Sequence, residues 1–395
     1  MKKFAKATSM GLLAASILAA AGAANANANA IVGGGATLPE LLYKDVFSTV
    51  LNPDATVNTY GYTGVGSGNG KKAFFGNDAS FLGGAGPVHF AGSDSRVSVA
   101  EQVAYNNAET ARGTAKWGAF IQIPAVATSV LLPYKHGTVA DLNLTTEQIC
   151  KIYSRQITTW NQVNTAYGTD PIKVIYREDN SGTTELLADF LKAGCAPHGI
   201  TFTVSNDFKA VVASAGVDAA ALKAAGTWVS GTGSSGVSDA VTANSNVLAY
   251  LSPDPKFTPS DNGKVARINT FLPVNANIQT ALNSIAIPAG AASNPRNWVP
   301  AYTLPATGYP IFGTTNFLVG QCYATAAKKD GVRHLLSRFY GDGSADSATI
   351  ATQIVDHNFI ELPTSWKDAI KTNFLAASGS LAIGDASVCN GIGRP

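Results

Sequence analysis

Short apolar runs alternate with segments of helical spacing along most of this chain, and that alternation leaves few architectures open. Residues 88–92, 172–176 and 247–251 (VHFAG, IKVIY and VLAYL) read as buried strands. Residues 38–50, 145–154 and 183–193 carry apolar side chains three and four apart, with Leu38, Leu41, Leu42 and Val46 in the first stripe and Leu186, Leu187, Phe190 and Leu191 in the third. Strands that alternate with helices predict an α/β fold whose sheets are covered on their faces. Thr37 with Glu40 and Thr145 with Gln148 have capping-box spacing, and Pro39 stands in an opening turn where no amide donor is missed. The stretch from about 225 to 245 and the Pro- and Asn-rich region 287–310 read as surface loops or interdomain connections.

The first 30 residues are built differently. A basic head (MKKFAK), an apolar run between Met10 and Ala23 and a small-residue tail (NANANA) have the order of a secretory signal peptide, with cleavage expected after Ala28 or Ala30. The apolar run is too short for a membrane span, and no later segment offers about 18 uninterrupted apolar residues. Removing the leader takes away three lysines and no acids, which moves the formal charge from +2 to −1. Bulk charge therefore gives no attraction to nucleic acid or anionic lipid, and an anionic ligand must be caught by a local site. The remaining 365 of 395 residues exceed what one core usually serves, so two domains are expected.

Four cysteines in an exported chain predict two disulfides. Of the three possible pairings, Cys150–Cys195 with Cys322–Cys389 is favoured because each bridge then closes a loop inside one domain. No C-x-x-C pair is present for redox or zinc chemistry, and the five histidines show no H-E-x-x-H spacing. No serine stands in G-x-S-x-G. Neither a metal nor another cofactor is expected.

Four turns rich in Gly, Ser and Thr carry the chemical signal: GGGATLPE at 33–40, GVGSGNGKK at 64–72, AGSDS at 91–95 and YREDNSGTTE at 176–185. Two of them run into helices, whose first amides lack partners and whose dipole is positive at that end. The Thr37 hydroxyl and the Leu38 amide are candidate donors, although a capped helix after a flexible turn explains this segment equally well. Ser67 adds a hydroxyl and an amide in a stretch that is not a P-loop, because Val65 stands where the first glycine is required and Lys72 where Ser or Thr is required. Arg177 ends a strand while Ser181, Gly182 and Thr183 open a helix, so a guanidinium fork and several amides and hydroxyls converge at a strand's carboxyl end. Asp94 would repel an anion unless the anion brings a proton. Phosphate does and sulfate does not, so an ionised Asp94 fits the first better than the second. An ordinary Asp turn accounts for that segment as well.

These same turns resemble the periplasmic phosphate-binding proteins of ABC importers and, more closely, their DING relatives. The likeness runs from GGGATLP at 33–39 through GVGSGNG, AGSDS, IQIPAVATSV, ITTWNQV and SGTTE to GTTNFLVGQCY and the terminal CNGIGRP. The family's namesake Asp-Ile-Asn ahead of the Gly run stands here as Ala30, Ile31 and Val32. The resemblance implies a two-lobed, type II periplasmic-binding-protein fold with phosphate dehydrated in a cleft at the hinge. Carried over by motif, the ligand set is Thr37, Leu38, Ser67, Asp94, Arg177, Ser181, Gly182 and Thr183. Crossings at IQIPAV (121–126) and YPIFGTT (309–315) imply one lobe from 31–123 plus 311–395 and the other from 124–310, with one disulfide in each. A monomer in the periplasm or secreted medium, with an importer complex as its membrane partner, is the expected setting. Some relatives are secreted alkaline phosphatases acting on mono- and diesters, which gives an enzymatic alternative on the same site.

Overall fold

The structure, a computed structural model, describes residues 30–49, 59–283, 285–286 and 294–395. The expected leader therefore lies outside the described residues up to position 29, as does the 287–293 part of the region read as a connection. The strands in chain order are β1 (Ile31–Gly35), β2 (Tyr60–Gly64), β3 (Phe90–Ser93), β4 (Phe120–Ser129), β5 (Tyr134–Lys135), β6 (Asn143–Leu144), β7 (Lys173–Arg177), β8 (Val229–Gly231), β9 (Val247–Ala249), β10 (Arg267–Ile268) and β11 (Phe312–Gly320). They form a five-stranded sheet ordered β2-β1-β3-β11-β4 and a four-stranded sheet ordered β5-β9-β7-β8, with β6 and β10 as a small separate pair. In the first, β1 runs parallel to β2 and β3 while β11 is antiparallel to β3 and β4. In the second, β7 runs parallel to β8 and β9. This is the mixed α/β, type II periplasmic-binding-protein-like fold.

Apolar pattern explains the burial. Every residue of β4 is buried, as a strand covered on both faces must be, and its register against β11 extends from Phe120 to Ser129. The helices α1 (Glu40–Thr49), α2 (Ser67–Gly76), α3 (Val99–Ala111), α4 (Thr146–Tyr153) and α5 (Gly182–Cys195) alternate with the strands along the chain, with α1 packed on β2, α2 on β1 and β3, and α5 on β11 and α4. In α5 the expected stripe of Leu186, Leu187, Phe190 and Leu191 is buried. Among the described residues no helix is long and apolar enough to cross a membrane.

Three local expectations change. Thr145 and Gln148 make both hydrogen bonds of a capping box, but Thr37 and Glu40 do not: the Thr37 hydroxyl bonds Ser234 and the Glu40 carboxylate pairs with Lys44. Leu41 leaves the stripe and is 54% exposed, its place taken by Tyr43 and Phe47. The stretch read as a loop between 225 and 245 holds β8 and a helix, so with the two short helices α6 (Phe208–Ala213) and α7 (Ala219–Ala224) before it, α8 is Gly233–Ala243. Val237 and Val241, four apart, are buried at its base. The Gly and Ser content that suggested a loop is there for close packing: a Cβ on Gly231 would lie 2.4 Å from the Gly236 carbonyl carbon. Residues 294–310, by contrast, carry no helix or strand.

Both disulfides have the favoured pairing. Cys150–Cys195 joins α4 to the end of α5, and Cys322–Cys389 ties the residues after β11 to the chain's last turns. The first closes a loop of 45 residues, and the unfolded chain loses conformational freedom by it. Replacing Cys150 and Cys195 together by Ala is expected to lower the unfolding free energy by about 2–4 kcal/mol in urea titrations, with phosphate absent.

Candidate functional site

The carboxyl ends of β1, β2 and β3 in one sheet and of β7 and β8 in the other face a common point, as ligand sites in α/β sheets do. β1, β2, β3 and β7 each hand the chain to one of the four turns. β2 leads to the start of α2 at Ser67, β3 ends one residue before Asp94, and β7 ends on Arg177 and leads to α5.

Ser67 and Asp94 interlock: the Asp94 amide donates to Ser67 Oγ at 3.1 Å, and that hydroxyl lies 3.5 Å from Asp94 Oδ2. Gly182, from the other sheet's helix, closes directly on this pair. A Cβ there would stand 2.3 Å from Asp94 Cβ and 2.6 Å from Ser67 Oγ, so only glycine lets α5 approach this far. Asp94 Oδ1 and the Thr183 hydroxyl are both buried with no hydrogen-bond partner within the protein. Other buried polar atoms are unpaired too, Thr315 Oγ1 beside Asp94 among them, so what singles out this spot is that such atoms gather where α5 meets the turn after β3, in the field of Arg177.

Arg177 is 3% exposed. Its backbone amide donates to the Tyr250 hydroxyl at 3.0 Å, and its Nε and Nη2 grip both oxygens of Asp179, the former at 2.9 Å. Asp179 Oδ1 also accepts the Gly233 amide at 2.9 Å. The residue that orients Arg177 is thus Asp179, whereas Asp94 acts on it only through charge. Burial pushes the Asp179 carboxyl up, but the hydrogen bonds and charge of Arg177 outweigh it and hold the group below the usual carboxylate range. Asp94 goes the other way: burial lifts its carboxyl to about 7, against the pull of the Thr315 hydroxyl, the Arg177 charge and Ser67.

The other expected residues stand at the margins. The Ser181 hydroxyl caps α5 by accepting the Thr184 amide at 3.4 Å, while its own amide donates to Asn206. Thr37 Oγ1 lies 3.2 Å from Ser234 Oγ, which in turn accepts the Ser252 hydroxyl at 2.9 Å. Leu38 is buried beneath it, and together they line a cleft of about 670 Å³ that also takes in Asp179 and Ser234. The sequence alone assigns no role to Asp179, Tyr250, Thr315 or Ser234. Asp179 stands two positions after Arg177 in the same turn, within reach of a local reading, whereas Ser234 stands in the 225–245 stretch expected to be a loop.

The assembly offers a fixed guanidinium, the free amides of two helix starts, an unpaired hydroxyl and one carboxyl able to hold or release a proton near neutrality. That combination suits a small tetrahedral oxyanion that carries an ionisable proton. Among the described residues, no three His, Cys, Asp or Glu side chains stand together as metal ligands.

Glu185, half-buried in the first turn of α5, is likewise lifted by desolvation to about 7. A carboxyl that binds its proton more tightly folded than unfolded stabilises the fold at low pH and loses that contribution as pH rises through the folded value. The ligand-free protein is therefore expected to lose unfolding free energy between about pH 4.5 and pH 7.5. Asp94→Asn should flatten the part due to Asp94, and urea titrations across that range with both proteins check it.

Comparison with known proteins adds an independent line. A family model described as a PBP superfamily domain matches residues 20–337. Alkaline phosphatase L of Pseudomonas aeruginosa is 41% identical over 391 residues, covering 97% of this chain and 99% of that protein. The crystal structure of the phosphate-binding protein from Stenotrophomonas maltophilia superposes with a TM-score of 0.82 at 36% identity, over 93% of this chain and 99% of that one. A high-affinity periplasmic phosphate-binding protein of the DING kind, solved with phosphate bound, gives 0.80 at 38% identity over 92% and 99% of the two chains.

Proposed function

The chain belongs to the PBP superfamily, in company with the DING phosphate-binding proteins, and on that premise we propose that it is an exported receptor that clamps inorganic phosphate between two lobes. The lobes are residues 31–123 with 311–395, and 124–310. The observation that carries this reading is the pair of unpartnered buried groups, Asp94 Oδ1 and Thr183 Oγ1, from opposite sheets beside a fixed Arg177.

A dehydrated phosphate forfeits a large hydration energy, which charge-assisted and amide hydrogen bonds must replace. Arg177 supplies the counter-charge, already aligned by Asp179, so little side-chain freedom is lost on binding. The Thr183 hydroxyl and the amides at the starts of α2 and α5 serve the remaining oxygens, with Thr37, Leu38 and Ser181 at the rim. Asp94 accepts the phosphate's proton. Sulfate has no proton to give, so at alkaline pH it faces an unrelieved carboxylate.

Isothermal titration with phosphate tests the reading. Arg177→Ala is expected to weaken binding by about 2–5 kcal/mol, because a buried anion then loses its counter-charge and Asp179 is stranded too. A loss below tenfold would remove Arg177 from the site. Since the empty site holds Asp94 near 7, sulfate should compete better as pH falls below that value and the carboxyl becomes a donor. Asp94→Asn should narrow the phosphate preference and make it insensitive to pH, and a ratio unchanged by the substitution would overturn this role for Asp94.

Delivery to an importer in the membrane, from the periplasm or after release from the cell, follows from the same reading. A second reading draws on the 41% identity to a protein named as an alkaline phosphatase: donors that hold phosphate can also stabilise a transferring phosphoryl group. Turnover of a simple phosphomonoester at neutral and alkaline pH, lost in an identically prepared Arg177→Ala protein, would establish it. Equal rates in both would exclude it.

A further inference from the structure

Asp94 and Thr183 come from different sheets, and two residues beyond each of them the chain makes a second contact. Arg96 follows Asp94 and Glu185 follows Thr183. The Arg96 amide donates to Glu185 Oε1 at 3.0 Å. Its Nη2 reaches both oxygens of Asp189, one turn further along α5, at 2.9 and 2.8 Å, and its Nη1 donates to the Pro300 carbonyl at 3.2 Å. Lys71 on α2 holds the Arg96 carbonyl at 3.2 Å and bonds Glu101, which fixes the turn from behind. Asp94, Arg96, Glu185 and Asp189 wall the same cavity of about 30 Å³, room for about one water.

We infer that Arg96, with Asp189 and Glu185, is a latch across the cleft: a set of positioning residues that touch no phosphate but hold the two halves of the anion site in register and set how fast phosphate leaves. The inference rests on the phosphate reading above. Every latch contact joins the turn after β3 to α5 or to the segment around Pro300, so opening the cleft must break them together. Contacts made only in the closed state retard release and leave encounter untouched. A half-buried ion pair that loses one member also leaves the other uncompensated, so either end should matter.

Stopped-flow association and release of inorganic phosphate should be measured for the wild type, Arg96→Gln, Asp189→Asn, the double variant and Arg96→Lys. Arg96→Gln and Asp189→Asn are each expected to speed release roughly five- to fiftyfold, with association within about twofold of wild type. The double variant should be no faster than the worse single, since both remove one interaction. Arg96→Lys, which keeps the charge but loses the fork, should fall between. Phosphate and sulfate should weaken by the same factor.

The two single variants change charge in opposite senses, so a mere field effect on an anion would move them in opposite directions. That result, or unchanged release in both, overturns the latch. Should Arg96→Gln fail to fold, Asp189→Asn and Arg96→Lys decide it. If the wild type takes up no phosphate, the functional reading falls. The latch is then judged by solution scattering of the ligand-free proteins, where variants of the same radius of gyration as wild type would overturn it and larger ones would support it.

Discussion

A single buried carboxyl sets the terms for the rest of the structure. Asp94 is 4% exposed and has one oxygen without a partner, which is an expensive condition for an acid. The chain tolerates it because Ser67 braces the turn from the same sheet and Arg177 lies across the gap as a source of positive potential. Arg177 would itself be a buried charge without Asp179. Arg177 thus offsets the near carboxyl while Asp179 offsets Arg177, and the site is a balance of three ionisable groups between two sheets.

That balance requires the start of α5 to meet the turn after β3 in close contact. Gly182 permits the contact, and the Cys150–Cys195 bridge anchors the far end of the helix that Gly182 begins. Leu186, one turn on, packs against Gly313 of β11, which leaves no room for a side chain there. The same helix therefore sets its amino end against Asp94 and Ser67, Glu185 and Asp189 of its first turns against Arg96, and its apolar face against the core. A shift of α5 would disturb all three at once.

The first sheet owes its rigidity to contacts remote from the cleft. Arg394, next to the last residue, is fully buried, with its guanidinium 3.8 Å over the Phe74 ring and a hydrogen bond of 2.9 Å to the Val88 carbonyl. Its backbone carbonyl accepts the Ala324 amide, and Cys389 is bridged to Cys322 nearby. The chain's end is thus fastened beneath α2 and β3, whose opposite ends carry Ser67 and Asp94. Substitutions far from the cleft can reach the site by this route.

Local physics decided much in advance. The periodicities of VHFAG, IKVIY and VLAYL and of the stripe in α5 follow from which side chains avoid water, and they fixed the class of fold. Turns with unpaired amides at helix starts, one Arg at a strand end and one Asp among serines identified what kind of ligand could be held. Pairings between distant residues were beyond that reach. Thr37 satisfies its hydroxyl on Ser234, almost two hundred positions away, rather than on its own helix, and the glycines of 231–236 serve packing rather than a loop. Arg96 reaches Asp189, 93 positions on, whereas Arg177 finds its partner Asp179 two positions away, within local reach. Capping, charge pairing and close approach each have a local candidate in the sequence, but which candidate wins depends on the distance between sheets, and only the folded chain sets that distance.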